Sequence, residues 1–336
     1  MFADLKTAVV ILNWNGEQLL EQFLPSIVNF SAGQAEVYVA DNASTDNSIA
    51  FVKEHFPSVH IVINSENGGY AKGYNDALQH IEADIYCLIN SDIEVTENWL
   101  PPILSIFNEE PNTAIIQPKL LDFKDKSKFE YAGAGGGFVD SLGYPYCRGR
   151  VFNHLETDEG QFNDTSNIFW ASGACFFIRS TVFHRLGGFD EDYFAHQEEI
   201  DLCWRTHNEG YTVKYVGAST VYHVGGATLQ ESNPHKTYLN FRNSLLTILK
   251  NIPRKYVVFT ILSRLILDGV AGVKFALELR PIHTWSIVKA HLSFYKNFFR
   301  FIKKRRKLQR KEHYSIHKFI AWQYFILGRT KFKNLK

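Results

Sequence analysis

Thr7-Ala8-Val9-Val10-Ile11-Leu12-Asn13-Trp14-Asn15-Gly16 is the stretch on which the fold turns. A β-branched apolar run stops at two asparagines and a glycine, which reads as a buried strand running into a polar loop. The period then changes, and Leu19, Leu20, Phe23, Leu24 and Ile27 recur at helical spacing across residues 16–30. The alternation continues downstream. Residues 35–40 predict a strand, 48–55 a helix capped by Asp46 or Asn47, 59–63 a strand, 73–81 a helix and 85–90 a fourth strand. Such alternation predicts an α/β fold with a doubly wound, mostly parallel sheet. Sheets of this kind bind ligands at the carboxyl ends of their strands. Asn13, Asp41, Asn64 to Asn67, and Asn90 to Asp92 all fall at those ends.

Charge adds a second constraint. The 336 residues suit one main domain, expected over residues 1–225, and a helical appendage over 226–336. The net charge of +1 hides a split: residues 1–225 carry 13 Lys/Arg against 31 Asp/Glu, and residues 226–336 carry 23 against 4. An acidic body with a basic tail facing an anionic membrane surface is the expectation. Residues 238–249 and 256–279 predict helices. In the second, Thr260, Arg264, Asp268, Lys274 and Glu278 share one arc and the rest is apolar. A spanning helix needs ~20 nearly uncharged residues, so this one is expected to lie on a membrane or on the body. Lys303-Lys304-Arg305-Arg306-Lys307, flanked by Phe298, Phe299, Phe301 and Ile302, is expected to grip anionic headgroups. Nothing resembles a nucleic-acid module.

Other features exclude alternatives. Cys87, Cys147, Cys175 and Cys203 form no C-x-x-C pair, so zinc and a disulfide framework are not expected, and reduced cytoplasmic thiols are. The N-terminus reaches a strand almost at once and has no signal-peptide pattern. A cytoplasmic protein, peripheral at the inner face of the cell membrane, is expected. The glycine run in residues 132–137 lacks G-x-G-x-x-G spacing and follows no strand, which excludes a dinucleotide fingerprint.

Two acidic spots carry the chemistry. One is Asn90-Ser91-Asp92, at the end of an apolar run. The other is Phe189-Asp190-Glu191-Asp192-Tyr193-Phe194-Ala195-His196-Gln197-Glu198-Glu199-Ile200-Asp201-Leu202-Cys203-Trp204-Arg205, which sets carboxylates among aromatic rings. One cluster can hold a metal while the other takes a proton. That division suits transfer of a group from a phosphate-bearing donor to a hydroxyl.

These motifs resemble, in order, the family 2 inverting glycosyltransferases with a GT-A nucleotide-sugar-binding domain. The nearest branch looks like the rhamnosyltransferase-type enzymes of bacterial surface polysaccharide synthesis. The matching stretches are residues 9–16, Val39-Ala40-Asp41-Asn42-Ala43-Ser44-Thr45-Asp46, Asn67-Gly68-Gly69-Tyr70-Ala71-Lys72-Gly73-Tyr74-Asn75, Leu88-Ile89-Asn90-Ser91-Asp92, and residues 189–205. The resemblance covers roughly residues 5–250. It implies that Asn13, Asn15 and Asp41 hold the nucleoside, and that Asn67 and Gly73 line the donor nucleotide. Asn90-Ser91-Asp92 stands where the family has Asp-x-Asp, so Asp92 falls to Mg²⁺ or Mn²⁺, with His223 closing the metal site. Glu198-Glu199 aligns with the family's Glu-Asp pair. Glu199 is then the general base, with Glu198 or Asp201 as alternatives. Asp201 is also expected to cap a helix beginning near Ile200 and to pair with Arg205. Trp170 and Gly173 flank donor sugar and acceptor, beside Asn90, and Arg242 reaches the diphosphate.

The implied reaction moves a sugar from a nucleotide-diphosphate donor to a hydroxyl of a glycan or lipid-linked acceptor, with inversion. Two other readings stay open. A sugar nucleotidyltransferase shares the sheet but needs a Gly-rich, Arg-containing loop after the first strand, where this chain has Asn13-Trp14-Asn15-Gly16. A catalytically silent sugar-nucleotide-binding partner fits the loss of the first metal Asp and Glu in place of the base Asp.

Overall fold

β1 (Thr7–Asn13) is buried along its length apart from a partly covered Leu12, as a central strand covered on both faces must be. The computed structural model describes residues 5–225, 233–306 and 313–336. After β1 come α1 (Glu17–Ser31), β2 (Glu36–Asp41), α2 (Ser48–His55), β3 (His60–Ile63), α3 (Gly69–Ala77), β4 (Ile85–Asn90), β5 (Ile93–Val95), α4 (Pro101–Glu109) and β6 (Thr113–Asp122). A small antiparallel sheet follows, of β7 (Gly137–Val139), β8 (Pro145–Cys147), β9 (Arg150–Val151) and β10 (His154–Leu155). Next are β11 (Thr165–Asn167), β12 (Cys175–Arg179), α5 (Ser180–Arg185), α6 (Glu198–Asn208) and β13 (Thr212–His223). The chain closes with α7 (Pro234–Asn251), α8 (Arg254–Leu277), α9 (Pro281–Arg306) and α10 (Ile320–Phe325).

The main sheet runs β11-β13-β6-β12-β4-β1-β2-β3, with β5 paired to β13 off this path. β3, β2, β1 and β4 are parallel, the half in which the alternation is written. β12 enters antiparallel between β4 and β6, and β6 and β13 are parallel again. Alternate residues feed two cores: Ala8 and Val10 pack with Tyr74, Leu88 and Trp204 on one face, Val9 and Ile11 with Leu24, Phe107 and Phe177 on the other. The register sets Asn13 beside Asp41 and Leu12 beside Asn90, so the polar strand ends share one rim.

Two differences from the sequence reading, and one choice it left open, have physical causes. α3 starts at Gly69 rather than residue 73, because the Tyr70 and Ala71 N–H groups face the Phe194 carbonyl at 3.1 and 3.5 Å and satisfy a helix start there. α6 starts at Glu198, so Asp201 lies inside the helix rather than capping it, and its carboxylate meets Arg205 Nε at 2.8 Å. Asp46, not Asn47, serves the start of α2, accepting from the Ser48 N–H and hydroxyl.

The C-terminal helices share the body's core. Ile248 and Ile252 belong to the same apolar cluster as Tyr74 and Trp204. The expected headgroup-binding patch is corrected at two of its residues, Lys304 and Arg305, while Lys303 is exposed. Lys304 pairs with Asp190 and Asp192, and Arg305 is buried with Nη1 donating to the Leu249 carbonyl. The acidic loop of the body already neutralises this part of the tail; Lys307 lies outside the described residues. α8 is turned the opposite way to a soluble helix. Its polar arc, Thr260, Arg264 and Asp268, is buried, while Val258, Leu262, Ile266, Val270, Val273 and Leu277 are exposed.

The interior is stitched by ions. Asp201 meets Lys250 Nζ at 2.9 Å and accepts from Asn251 at 2.8 Å, and Lys250 also meets Asp190 at 2.7 Å. Burial raises the Asp201 pKa, but Lys250 and Arg205 more than reverse this and leave it below the usual carboxylate range. The stability it contributes is present at neutral pH and lost as pH falls through that depressed pKa. Asp201→Ala leaves Arg205 and Lys250 short of a buried counter-charge and should lower unfolding free energy by roughly 3–5 kcal/mol. Urea unfolding at pH 7 is the measurement, and a loss under 1 kcal/mol would contradict the knot.

Candidate active site

The rim of the parallel sheet is a cross-linked asparagine corner. Asp41 accepts from Asn13 Nδ2 at 2.9 Å, from the Ser44 N–H at 2.8 Å and from the Ser44 hydroxyl at 2.5 Å. Asn15, at φ +50°, accepts from the Thr45 N–H at 2.7 Å and its own N–H donates to Ser44 Oγ at 2.9 Å. Asn13 Oδ1 is buried with no partner among the described residues. Asn67 accepts from the Gly69 N–H at 3.0 Å and so shapes the approach to α3. Gly73 is a correction: it lies beneath this surface, where an added Cβ would sit 2.5 Å from Asn42 Nδ2. Its role is to let Asn42 pack. Asn42, which sequence reasoning passed over, donates to the Gly69 carbonyl at 3.0 Å and accepts from Asn64 at 2.7 Å.

The next strand ends build an ionic corner. Asp92 follows β4, and His223 ends β13, opposite Ile93. His223 Nε2 stands 3.1 Å from Asp92 Oδ1, and Nδ1 stands 3.2 Å from Glu130 Oε1; all three side chains are buried. Burial pulls the imidazole pKa down, but the Glu130 charge and the contacts to Asp92 and Glu130 outweigh it and raise it to about 10. Glu130 was missed in the sequence, where no spacing ties an isolated glutamate in an irregular loop to residues 92 and 223. Its geometry is that of a carboxylate orienting a ligating histidine.

Asp92 and His223 are donor types that suit a divalent cation, provided the imidazole gives up the proton it holds between Asp92 and Glu130 when the cation binds. Among the described residues no three His, Cys, Asp or Glu side chains converge on one point. A two-donor open corner matches a hard divalent cation that completes its shell with phosphate oxygens and water.

Across the turn from this corner lie two glutamates. The Asn90 N–H donates to the Ala174 carbonyl at 2.9 Å, so the Ser172–Gly173–Ala174 turn abuts the Asp92 strand end. A Cβ placed on Gly173 would lie 3.8 Å from Glu199 Cβ and 3.3 Å from the Tyr70 hydroxyl, which donates to the Gly173 carbonyl at 2.7 Å. The buried Cys147 thiol is pushed up by burial, with smaller contributions from the charges of Glu130 and Glu199. Glu198 is sealed and Glu199 only partly covered, and an oxygen of each has no hydrogen-bond partner. Burial raises both pKa values. Glu198 goes well above the carboxylate range, with Glu199's charge adding to it, and Glu199 reaches about 7 against three opposing backbone hydrogen bonds. A carboxylate near neutrality with one oxygen free of hydrogen bonds is poised to accept a proton.

The loop before α6 aims these glutamates. Phe194, His196 and Gln197 have φ of +64°, +68° and +75°, a cost of order 1 kcal/mol or more each that surrounding bonds must offset. Asn243 Nδ2 donates to the carbonyls of Tyr193, Ala195 and His196 at 3.1, 2.9 and 2.7 Å. Arg242 is a correction, since its Nη2 donates to the Asp192 and Tyr193 carbonyls at 3.0 and 2.9 Å and buttresses the loop. Trp170 is another. It is 3% exposed, its indole N–H donates to the Phe138 carbonyl at 2.8 Å, and Gly137 packs on its ring. A ring so enclosed cannot stack on a sugar.

Comparison with known proteins fits this geometry. Residues 8–187, more than half of the chain, match the glycosyl transferase family 2 profile. The low-salt glycan biosynthesis hexosyltransferase Agl10 of Haloferax volcanii is 25% identical over 278 residues, spanning 79% of this chain and 83% of that protein. An N-acetylglucosaminyl-diphospho-decaprenol L-rhamnosyltransferase of Mycobacterium tuberculosis is 26% identical over 231 residues, 64% of this chain and 75% of that protein. Among solved structures, a mannosyltransferase from Pyrobaculum calidifontis in complex with GDP-Man and Mn²⁺ superposes with a TM-score of 0.53. It is 15% identical, with 88% of this chain and 87% of that one covered, a likeness of GT-A fold. With its matched sheet, its acidic strand end at Asp92 and its paired glutamates, the chain belongs to glycosyl transferase family 2 and is a glycosyltransferase.

Proposed function

We propose that this enzyme transfers a sugar from a nucleoside-diphosphate donor to a hydroxyl of a lipid-linked glycan acceptor, with inversion at the anomeric carbon. The observation that carries the reading is the pair of glutamates beside Gly173, one buried and one partly covered, each with an oxygen free of hydrogen bonds, across one turn from Asp92 and His223. The asparagine corner receives the nucleoside, with the orphan acceptor Asn13 Oδ1 suited to a base N–H. Asp92 and His223 would hold the divalent cation, Mg²⁺ or Mn²⁺, which when bound supplies positive charge against the diphosphate. Glu199 takes the proton of the acceptor hydroxyl as that oxygen attacks the anomeric carbon and the sugar–phosphate bond breaks. Glu198, sealed and more strongly raised, keeps its proton and with Tyr70 keeps the pocket dry enough to hold Glu199 near neutrality.

The same reading places the enzyme at a membrane. The exposed row on α8 continues on α9 as Ile282, Trp285, Val288, Leu292, Tyr295 and Phe299. A continuous apolar face of this extent marks an interaction surface. Among the described residues of the four C-terminal helices, the acidic side chains are the buried Asp268 and the exposed Glu278, so the flanks of the face are basic. An apolar face with basic flanks suits the interface of an anionic bilayer, at the cytoplasmic side. α8 is also long and apolar enough to cross a membrane, yet its buried Arg264 and Asp268 tie it to the body.

Glu199→Gln should bind donor normally and lose transfer by ~10²–10⁴-fold, with full activity removing Glu199 as base. In the wild type the rate should rise with pH through about 7. Because a raised carboxyl pKa costs folded-state stability as pH climbs through that window, Glu199→Gln should melt above the wild type at pH 8 but not at pH 4. Asp92→Ala should weaken donor binding in the presence of Mn²⁺, measured by calorimetry; equal affinity with and without chelator would end the cation assignment. Leu262→Glu with Ile266→Glu should abolish co-sedimentation with phosphatidylglycerol vesicles. If the pair of changes instead converts a dimer to a monomer on size exclusion, the face is a contact between two copies.

A further inference from the structure

A hollow lies where the sheet body meets the turn between α8 and α9. It has a volume of about 400 Å³ and is lined by Tyr131, Lys236, Asn240, Lys274, Arg280 and His283, among others. The site reaction described above uses none of these residues. Three are cations, and the one acidic side chain at the wall, Glu278, pairs with Lys274 at 3.5 Å. The hollow is therefore electropositive within a region already short of acid.

Arg280 is held ready there. Its Nη2 donates to His283 Nε2 at 3.0 Å, and His283 Nδ1 faces the Thr237 hydroxyl at 2.8 Å. A guanidinium only donates, so His283 accepts at Nε2 and carries its proton on Nδ1. His283 is 3% exposed, and burial, with Arg280's charge, keeps its pKa below the ordinary value. The Phe275 ring lies 5.1 Å from the imidazole and 5.2 Å from the Arg280 guanidinium carbon. A neutral buried histidine and an aromatic ring thus fix the plane of an arginine at the mouth of a basic hollow, the arrangement that favours bidentate binding of phosphate.

Its two sides define the ligand. On one side, Tyr131 follows Glu130, the residue against His223, and the Lys236 charge reaches His196, two residues before Glu198. On the other, Leu277, Leu279, Ile282 and Trp285 project at 80%, 89%, 58% and 54% exposure, the start of the apolar face. We infer that this hollow binds the diphosphate of an isoprenoid-diphosphate-linked sugar acceptor, its prenyl chain lying along α8 and α9 and its sugar hydroxyl directed to Glu199. The inference rests on the lipid-linked acceptor reading above, and supplies the residues that would select such an acceptor.

Farnesyl diphosphate, titrated into the full-length protein in detergent, is the test. Saturable binding should weaken about tenfold or more in Arg280→Ala and in Lys236→Ala, as loss of a charge-assisted contact requires. Arg280→Lys should recover part of it, and nucleotide-sugar binding measured by thermal stabilisation with Mn²⁺ should not change in any of the three. Farnesyl diphosphate that fails to bind, binds all variants equally, or is displaced by nucleoside diphosphate overturns the assignment. So does equal competition from phosphatidylglycerol vesicles, which would mark a general headgroup site. The nucleotide-sugar measurement separates the two readings: its failure in the wild type sinks the donor assignment, whereas its success with no farnesyl diphosphate binding sinks only this site. Melting temperatures of the variants within a few degrees of wild type confirm that the comparison is between folded proteins.

Discussion

The clamp on the loop before α6 is the constraint from which the rest follows. Three left-handed residues, Phe194, His196 and Gln197, would relax if freed. They are pinned from the sheet side by the α3 amides on the Phe194 carbonyl and from the tail side by Asn243 on three carbonyls. Asp190, Asp192 and Asp201 bracket the loop and are neutralised by Lys250, Lys304 and Arg205. Glu198 and Glu199 sit at a helix start, each with an oxygen that meets none of these cations. Placed among the lysines they would be ordinary low-pKa carboxylates. Kept apart from them, they rise.

The opposite logic governs the corner at Asp92. There the buried carboxylates of Asp92 and Glu130 flank one imidazole, and the field of two negative charges holds a positive one between them. A corner that favours cations and a pair of glutamates that favours protons therefore flank the Ser172–Ala174 turn. Pairs of titratable groups pushed apart by their surroundings are how one pocket performs charge stabilisation and base chemistry together. The turn is small-residued for this reason: at Gly173 even a methyl would approach the Tyr70 hydroxyl that fixes it.

The tail links chemistry to location. Its basic residues are in part the counter-ions of the catalytic loop, so the charge asymmetry between the halves of the chain is partly resolved inside the molecule. What remains outward is apolar. α8 buries Arg264 against the Leu142 carbonyl, the Ser244 hydroxyl and the Tyr144 ring and leaves its aliphatic side uncovered. In water alone an apolar face of this size has no reason to stay uncovered, so the orientation marks an interaction surface.

The parallel half of the fold was legible in the sequence because its signals are local. Strand residues such as Val9 to Leu12 and helix faces such as Leu20, Phe23 and Leu24 obey periods of 2 and 3.6 within a dozen residues. The strand-end positions Asn13, Asp41, Asn90 and Asp92 follow once the strands are placed. Only the tertiary structure decided the rest, because those contacts join residues distant along the chain. Glu130 meets His223 from an irregular loop, and Asn243 reaches back 47 to 50 residues to the catalytic loop. The same holds for Trp170 and Arg242, whose side chains the fold uses for packing and support, and for Gly73, whose missing side chain makes room for Asn42. Composition separated a basic, apolar tail from an acidic body; which side of α8 faces outward was set by where a buried arginine found its partners.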